Sequence, residues 1–181
     1  MRSFVEEVEA APGGEKIRAC IQCGICTGSC PVASQMEYPP RKIIALIRAG
    51  MRDEVLASSS MWFCLSCHLC GCRCPRGVKP TELAHALEYL ADKQGYRVKG
   101  TSTPAMYHSF VDSIQSYGRV HEFGMMLKYY LKTNPLAALK MTKVGLSLFL
   151  HKRMPLMPKK VKGKEDLSRM IQKFREAESN Q

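Results

Sequence analysis

Apolar residues along the first hundred positions recur at helical spacing. Ile43, Ile44 and Ile47, with Leu46, form one side of a segment that opens at Pro39-Pro40 and runs through Arg41–Ala49. Proline is tolerated in the first helical turn, and Gly50 suits the position just past the end. The layout repeats downstream: Pro80 opens a second helix, Leu83, Ala84, Leu87 and Leu90 line one face, and Gly95 closes it. A shorter helix is expected within residues 3–19, interrupted at Pro12-Gly13-Gly14. No period-2 run of β-branched residues lies between or around these segments, so the pattern predicts a mainly α fold.

Beyond residue 100 the pattern changes. Met106, Phe110, Ile114 and Tyr117 fall at helical spacing, as do Phe123, Met126, Leu127 and Tyr130. Asn134-Pro135 reads as a helix start, with Asn as N-cap and Pro in the first position. The helix expected from Leu136 to about Lys152 has a narrow polar stripe (Lys140, Lys143, Ser147, His151). Its remaining surface is apolar: Leu136, Leu139, Met141, Val144, Leu146, Leu148, Phe149 and Leu150. So wide an arc is expected to be buried against another subunit; packing on its own chain or a membrane interface are the competing readings. Arg153–Lys160 is interrupted by Pro155 and Pro158 and must be extended. A last amphipathic helix, about Glu165 to Glu178, uses Leu167, Met170, Ile171 and Phe174. The expected division is therefore residues 1–100 and residues 101–181, the second part a basic helical extension for docking.

The chemistry lies in the cysteines. Cys20, Cys23, Cys26 and Cys30-Pro31 read C-x2-C-x2-C-x3-C-P. Cys64, Cys67, Cys70 and Cys74-Pro75 repeat it, every position 44 residues later. This is the spacing of a [4Fe–4S] site: three cysteines on one loop reach three corners of a cubane, and the cysteine before proline is carried away from that loop. In two-cluster ferredoxins this fourth cysteine ligates the other cluster. The expected sets are Cys20, Cys23, Cys26 with Cys74, and Cys64, Cys67, Cys70 with Cys30. Zinc, which also uses C-x2-C pairs, needs only four ligands and has no use for a third cysteine in register. The ninth cysteine, Cys72, could replace Cys74 but lacks the x3 spacing and the proline. His68 could bond cluster sulfur, yet reads more simply as a surface residue, while Trp62-Phe63 before Cys64 is expected to shield the second cluster.

Charge sharpens the picture beyond the motifs. The net charge is +11, and residues 1–54 hold 7 Lys/Arg against 7 Asp/Glu, so the surplus lies beyond them. No acidic residue occurs between Glu122 and Glu165. Such a surface attracts an acidic partner or an anionic membrane, whereas nucleic acid is disfavoured because no binding motif accompanies the charge. Lys16 and Arg18, just before Cys20, read as solvated surface or as charge that eases reduction of a cluster. A charged N-terminus without an apolar run, the absence of an apolar stretch approaching the ~20 residues of a membrane span, and nine thiols point to the cytoplasm. No nucleophile–base pair or nucleotide-binding glycine loop is evident, so the chain is expected to move electrons without a substrate site of its own.

With these motifs and the tail together, the chain resembles the C subunit of heterodisulfide reductases, over nearly its whole length. The resemblance rests on the paired cysteine motifs, the Cys30–Ser34 run Cys-Pro-Val-Ala-Ser, Pro40-Arg41-Lys42, and the Cys74-Pro75-Arg76-Gly77 turn. The cysteine motifs alone are shared with succinate dehydrogenase and glycerol-3-phosphate dehydrogenase iron–sulfur proteins; the flanking runs favour the heterodisulfide reductase family. The resemblance implies an α-helical ferredoxin with two [4Fe–4S] clusters. It further implies an electron relay between a flavin-containing A subunit and a disulfide-active B subunit, to which hydrogenase or formate dehydrogenase modules can attach. The alternative is an electron-transfer module of a membrane-associated, quinone-linked reductase.

Overall fold

The computed structural model describes residues 3–98, 100–136, 142–151 and 161–179. Among them the regular structure is helical, with no strand. The chain divides into two compact units, Met1–Thr101 and Ser102–Gln181.

In the first unit, α1 (Phe4–Ala10) begins with a capping box in which Glu6 N–H donates to Ser3 Oγ and Ser3 N–H donates to the Glu6 carboxylate. This satisfies two of the amides a helix start leaves without internal partners. The helix stops at Ala10 because Pro12-Gly13-Gly14 turns the chain sharply, and only a single 3-10 turn, Ile17–Ala19, precedes the first cysteine. Gly13 has φ +91° and a built Cβ would stand 2.4 Å from Glu82 Cβ. At Gly14 a Cβ would stand 1.8 Å from the Val8 carbonyl oxygen. Backbone therefore packs on backbone here, which no larger residue permits.

The two proline-initiated helices form as the periodicity predicts: α3 spans Pro40–Arg48 and α6 spans Pro80–Lys93. Gly50 and Gly95 both take left-handed φ past their ends. Between them, α4 (Arg52–Ala57) forms in a stretch too short for its periodicity to announce it; Val55 and Leu56 are its buried residues. Two single-turn helices, α2 (Ile25–Gly28) and α5 (Leu69–Cys72), lie inside the cysteine motifs.

Val8, Ile17, Ile44, Ile47, Val55, Leu56, Met61 and Leu87 are each no more than 1% exposed and form one core. Burying a side chain of this kind contributes roughly 1.5–3 kcal/mol. At the rim of that core Arg52 pairs with Glu7 and donates to Gln94, while Gln94 donates to Glu7, tying α1, α4 and α6 together. The Arg52 guanidinium holds the Glu7 carboxyl below its ordinary range. Cys20, Cys64 and Cys74 pack partly against the core, so the cysteine loops sit on its edge.

The second unit contains α7 (Thr103–Tyr117), α8 (Glu122–Thr133), α9 (Thr142–Leu150) and α10 (Lys164–Ser179). α7 packs on α8 and on α10. The apolar residues expected to face inward on α7 do so only in part: Met106 and Phe110 are exposed, and the buried positions are Ser109 and Ser113. Small serines let the chain approach closely, and their hydroxyls are used locally. Ser109 donates to the Ala105 carbonyl, and Ser113 accepts from His121 N–H. His121 in turn caps α8 by accepting from Gly124 N–H. Asn134 closes α8 and, as expected, stands just before a new helical start, with Pro135 and Leu136 helical after it. Leu139, Lys140 and Met141 of the predicted apolar helix, and the proline segment after it, lie outside the described residues. Where that helix is described, Leu146, Leu148 and Leu150 are exposed.

Gly14→Ala should lower stability by about 1–3 kcal/mol, the cost of overpacking, read as a lower denaturant midpoint of the anaerobic protein. Gly28→Ala, where no heavy atom lies within 4 Å of a built Cβ, should leave the midpoint nearly unchanged.

Candidate metal centres

The duplicated motif folds into a duplicated backbone. Cys20 and Cys64 have nearly identical conformations, φ −65°, ψ 120° and φ −63°, ψ 124°. Two residues later Gln22 and Ser66 are both left-handed, at φ 57° and 52°, and two residues after that Gly24 and His68 are left-handed again. The hydrogen bonds repeat at the same offset: Thr27 N–H to Gly24 O and Gly71 N–H to His68 O, Ser29 N–H to Ile25 O and Arg73 N–H to Leu69 O. Alternating left-handed residues make a concave loop whose amides point inward toward an anion. Gln22 N–H donates to Cys20 Sγ at 3.4 Å, and Ser66 N–H serves Cys64 in the same way.

The loops open on two separate clefts. One is lined by Cys20, Cys23, Cys26 and Cys74, and the other by Cys64, Cys67, Cys70 and Cys30. Each cleft thus takes three cysteines from one motif and the Cys-Pro cysteine from the other. The chain achieves this because α2 packs on α5, which sets the C-terminal ends of the two motifs side by side. Counting their solvent-open parts, the clefts measure about 360 Å³ and 580 Å³. Among the described residues no three or more His, Cys, Asp or Glu side chains are arranged to hold one metal ion. Four cysteines line each cleft, the donor set that a cubane with an iron at each corner would take.

Burial pushes the Cys26 and Cys64 thiols up, opposed by nearby backbone N–H groups. Cys20 and Cys70 add repulsion at Cys26, and Cys70, Glu88 and Cys30 add it at Cys64. The thiolate forms of Cys26 and Cys64 are therefore disfavoured without a bound cation, and metal binding at a thiol releases its proton.

Other candidate residues fall outside the clefts. Cys72 is exposed and lines neither. His68 is exposed at φ 58°, the place Gly24 occupies in the first loop. Trp62 and Phe63 do not line the second cleft; Met61, 1% exposed, does. The 3-10 turn Ser60–Phe63 rotates Met61 toward the cysteines, while Trp62 packs against the core. Arg18 is bound to Glu9 through a 2.8 Å ion pair, which offsets its charge. The arginines that do line a cleft are Arg41 and Arg76, both at the first. In sequence they stood only as parts of Pro40-Arg41-Lys42 and Pro75-Arg76-Gly77, with nothing to tie them to Cys20. His85 bridges Ser66 Oγ at 3.0 Å and Glu88 at 3.2 Å.

Residues 16–78 match the 4Fe-4S dicluster domain family. Over that stretch the chain is similar to a 4Fe–4S dicluster domain. It is 43% identical over 91 residues to the iron-sulfur C subunit of the CoB–CoM heterodisulfide reductase of Methanopyrus kandleri, covering 50% of this chain and 47% of that protein. To the second such C subunit of Methanocaldococcus jannaschii it is 43% identical over 101 residues, 52% of this chain and 54% of that one. A protein of Archaeoglobus profundus described as like the heterodisulfide reductase C subunit is 37% identical over 87 residues, 48% and 46%. The resemblance to the heterodisulfide reductase C subunit holds, but over about half the chain and not nearly all of it; likewise the chain spans about half the length of the curated relatives it matches.

The dicluster domain holds His68 in a left-handed conformation that costs a non-glycine residue of order 1 kcal/mol. His68→Gly should therefore raise the denaturant midpoint slightly while leaving iron content unchanged. Because the ligands must shed protons, the yield of clusters reconstituted into the iron-free chain should fall as the pH of reconstitution is lowered, followed by visible absorbance.

Proposed function

We propose that the chain carries two [4Fe–4S] clusters, one on Cys20, Cys23, Cys26 and Cys74, the other on Cys64, Cys67, Cys70 and Cys30. On this reading it is the electron-relay component of a cytoplasmic heterodisulfide reductase-like complex, passing electrons between a flavin-containing A subunit and a disulfide-active B subunit. The observation that carries the reading is the composition of the two clefts, each bounded by three cysteines of one motif and the Cys-Pro cysteine of the other. When bound, a cluster gains or loses one electron without forming a bond to a substrate. The chain's own residues hold the sulfurs apart at fixed corners, aim amides at them, and exclude water with Val32, Met36, Met61 and Leu83 at the second cleft. No helix among the described residues is long and apolar enough to cross a membrane.

Cys30→Ser and Cys74→Ser should each abolish one of two cluster signals in electron paramagnetic resonance and lower iron and acid-labile sulfide. Cys72→Ser should retain both. Retention of both signals in Cys30→Ser and Cys74→Ser, or zinc without sulfide in the native protein, would overturn the assignment.

A second reading, a module of a membrane-associated quinone-linked reductase, draws on the exposure of Leu146, Leu148 and Leu150 beside a lysine-rich sequence. It requires salt-sensitive flotation of the holoprotein with anionic vesicles, which the relay reading does not.

A further inference from the structure

The two clefts share a backbone but not an electrostatic environment. Arg41 and Arg76 line the first cleft together with its four cysteines. Arg41 is held there at two points: its backbone N–H donates to Thr27 Oγ1 at 3.0 Å, and its side chain runs 3.6 Å from where a Gly24 Cβ would be. Arg76 Nε donates to the Ala19 carbonyl at 3.3 Å, and Arg48 donates to the Cys20 carbonyl at 2.7 Å. Two guanidinium groups, of Arg48 and Arg76, thus bond to the segment that enters the first loop, and the Arg41 side chain lies against the loop itself. The first cleft also has an extra sulfur donor, Gln22 Nε2, 3.5 Å from Cys20 Sγ.

The second cleft is built differently. The residues that line it carry no charged side chain and include, besides cysteines, Pro31, Val32, Met36, Met61, Leu83 and Leu87. His68 stands where the first loop has Gly24, and no arginine lines this cleft. Besides Cys70 and Cys30, the carboxyl of Glu88 acts on Cys64, and that carboxyl is itself paired with His85 at 3.2 Å. Thr81 Oγ1 lies 3.3 Å from Cys70 Sγ and offers that sulfur a hydroxyl contact.

Adding an electron to a cluster makes an anionic group more negative. Positive charge and hydrogen bonds to sulfur stabilise that change, while apolar surroundings and a carboxylate oppose it. We infer that the cluster site of Cys20, Cys23, Cys26 and Cys74 has the higher reduction potential, set by Arg41 and Arg76, so that an electron entering the dicluster domain settles there. This rests on the ligand assignment above and adds an order to the relay: the second cluster receives or passes electrons in transit, and the first holds them. Arg41 and Arg76 are exposed and act through solvent-screened charge, so the gap between the two potentials narrows as ionic strength rises.

The test is an anaerobic potentiometric titration of the holoprotein followed by electron paramagnetic resonance, with Arg41→Gln, Arg76→Gln and the double variant. The expected result is a downward shift of the more positive of the two midpoints, largest in the double variant, with the more negative midpoint unmoved. Arg41→Lys should restore most of the Arg41→Gln shift, which a loss of packing alone would not allow. Movement of the more negative midpoint, equal movement of both, or no movement with both signals intact would each overturn the inference. Failure of the underlying assignment is read separately, as loss of iron and signal in the unsubstituted protein or as both clusters surviving Cys30→Ser and Cys74→Ser.

Discussion

Each cleft in the dicluster domain closes only when the Cys-Pro cysteine of the opposite motif arrives. That exchange is the constraint on which the rest of the first unit depends. A loop of three cysteines can form from a short stretch of chain, but its fourth neighbour belongs to the other copy of a motif repeated 44 residues apart. Bringing Cys74 to Cys20 and Cys30 to Cys64 requires the two motifs to lie against one another, and the contact of α2 with α5 supplies this. Metal–thiolate bonds formed across that contact would be folding free energy as much as cofactor binding.

The core behind the clefts is modest, and it is placed to serve them. Ile43 on α3 and Leu83, Ala84 and Leu87 on α6 belong both to the buried core and to the lining of the second cleft. Ile44 and Val78 do the same for the first. Side chains that stabilise the fold are thus the side chains that keep water from the sulfurs. A substitution there acts on stability and on cluster lifetime together, which separates these positions from Arg41 and Arg76 at the solvent edge.

Duplication produced two loops with matching dihedral angles and hydrogen bonds, then let their surroundings diverge. Arg41 lies beside Gly24 at the first cleft while no arginine lines the second, and Gln22 reaches sulfur with a side chain where Ser66 is engaged by His85. A relay of identical sites would have no preferred resting place for an electron. Unequal neighbours around equal backbones are the simplest way for a repeated sequence to acquire one.

Much of this was legible in the chain itself. The cysteine spacing, the 44-residue offset and the proline-initiated helices are local patterns, because ligand reach, proline φ and helical periodicity are set by residues a few positions apart. The same locality explains why the pattern placed Ile43, Ile44, Ile47, Leu83 and Leu87 in the core. What only the tertiary structure decided depends on residues far apart in sequence. It put Arg76 beside Ala19, chose Met61 over Trp62 for the cleft wall, and buried Ser109 and Ser113 where larger apolar neighbours had stronger claims. Those outcomes follow from how closely two backbones approach, and no periodicity within a single segment records that distance.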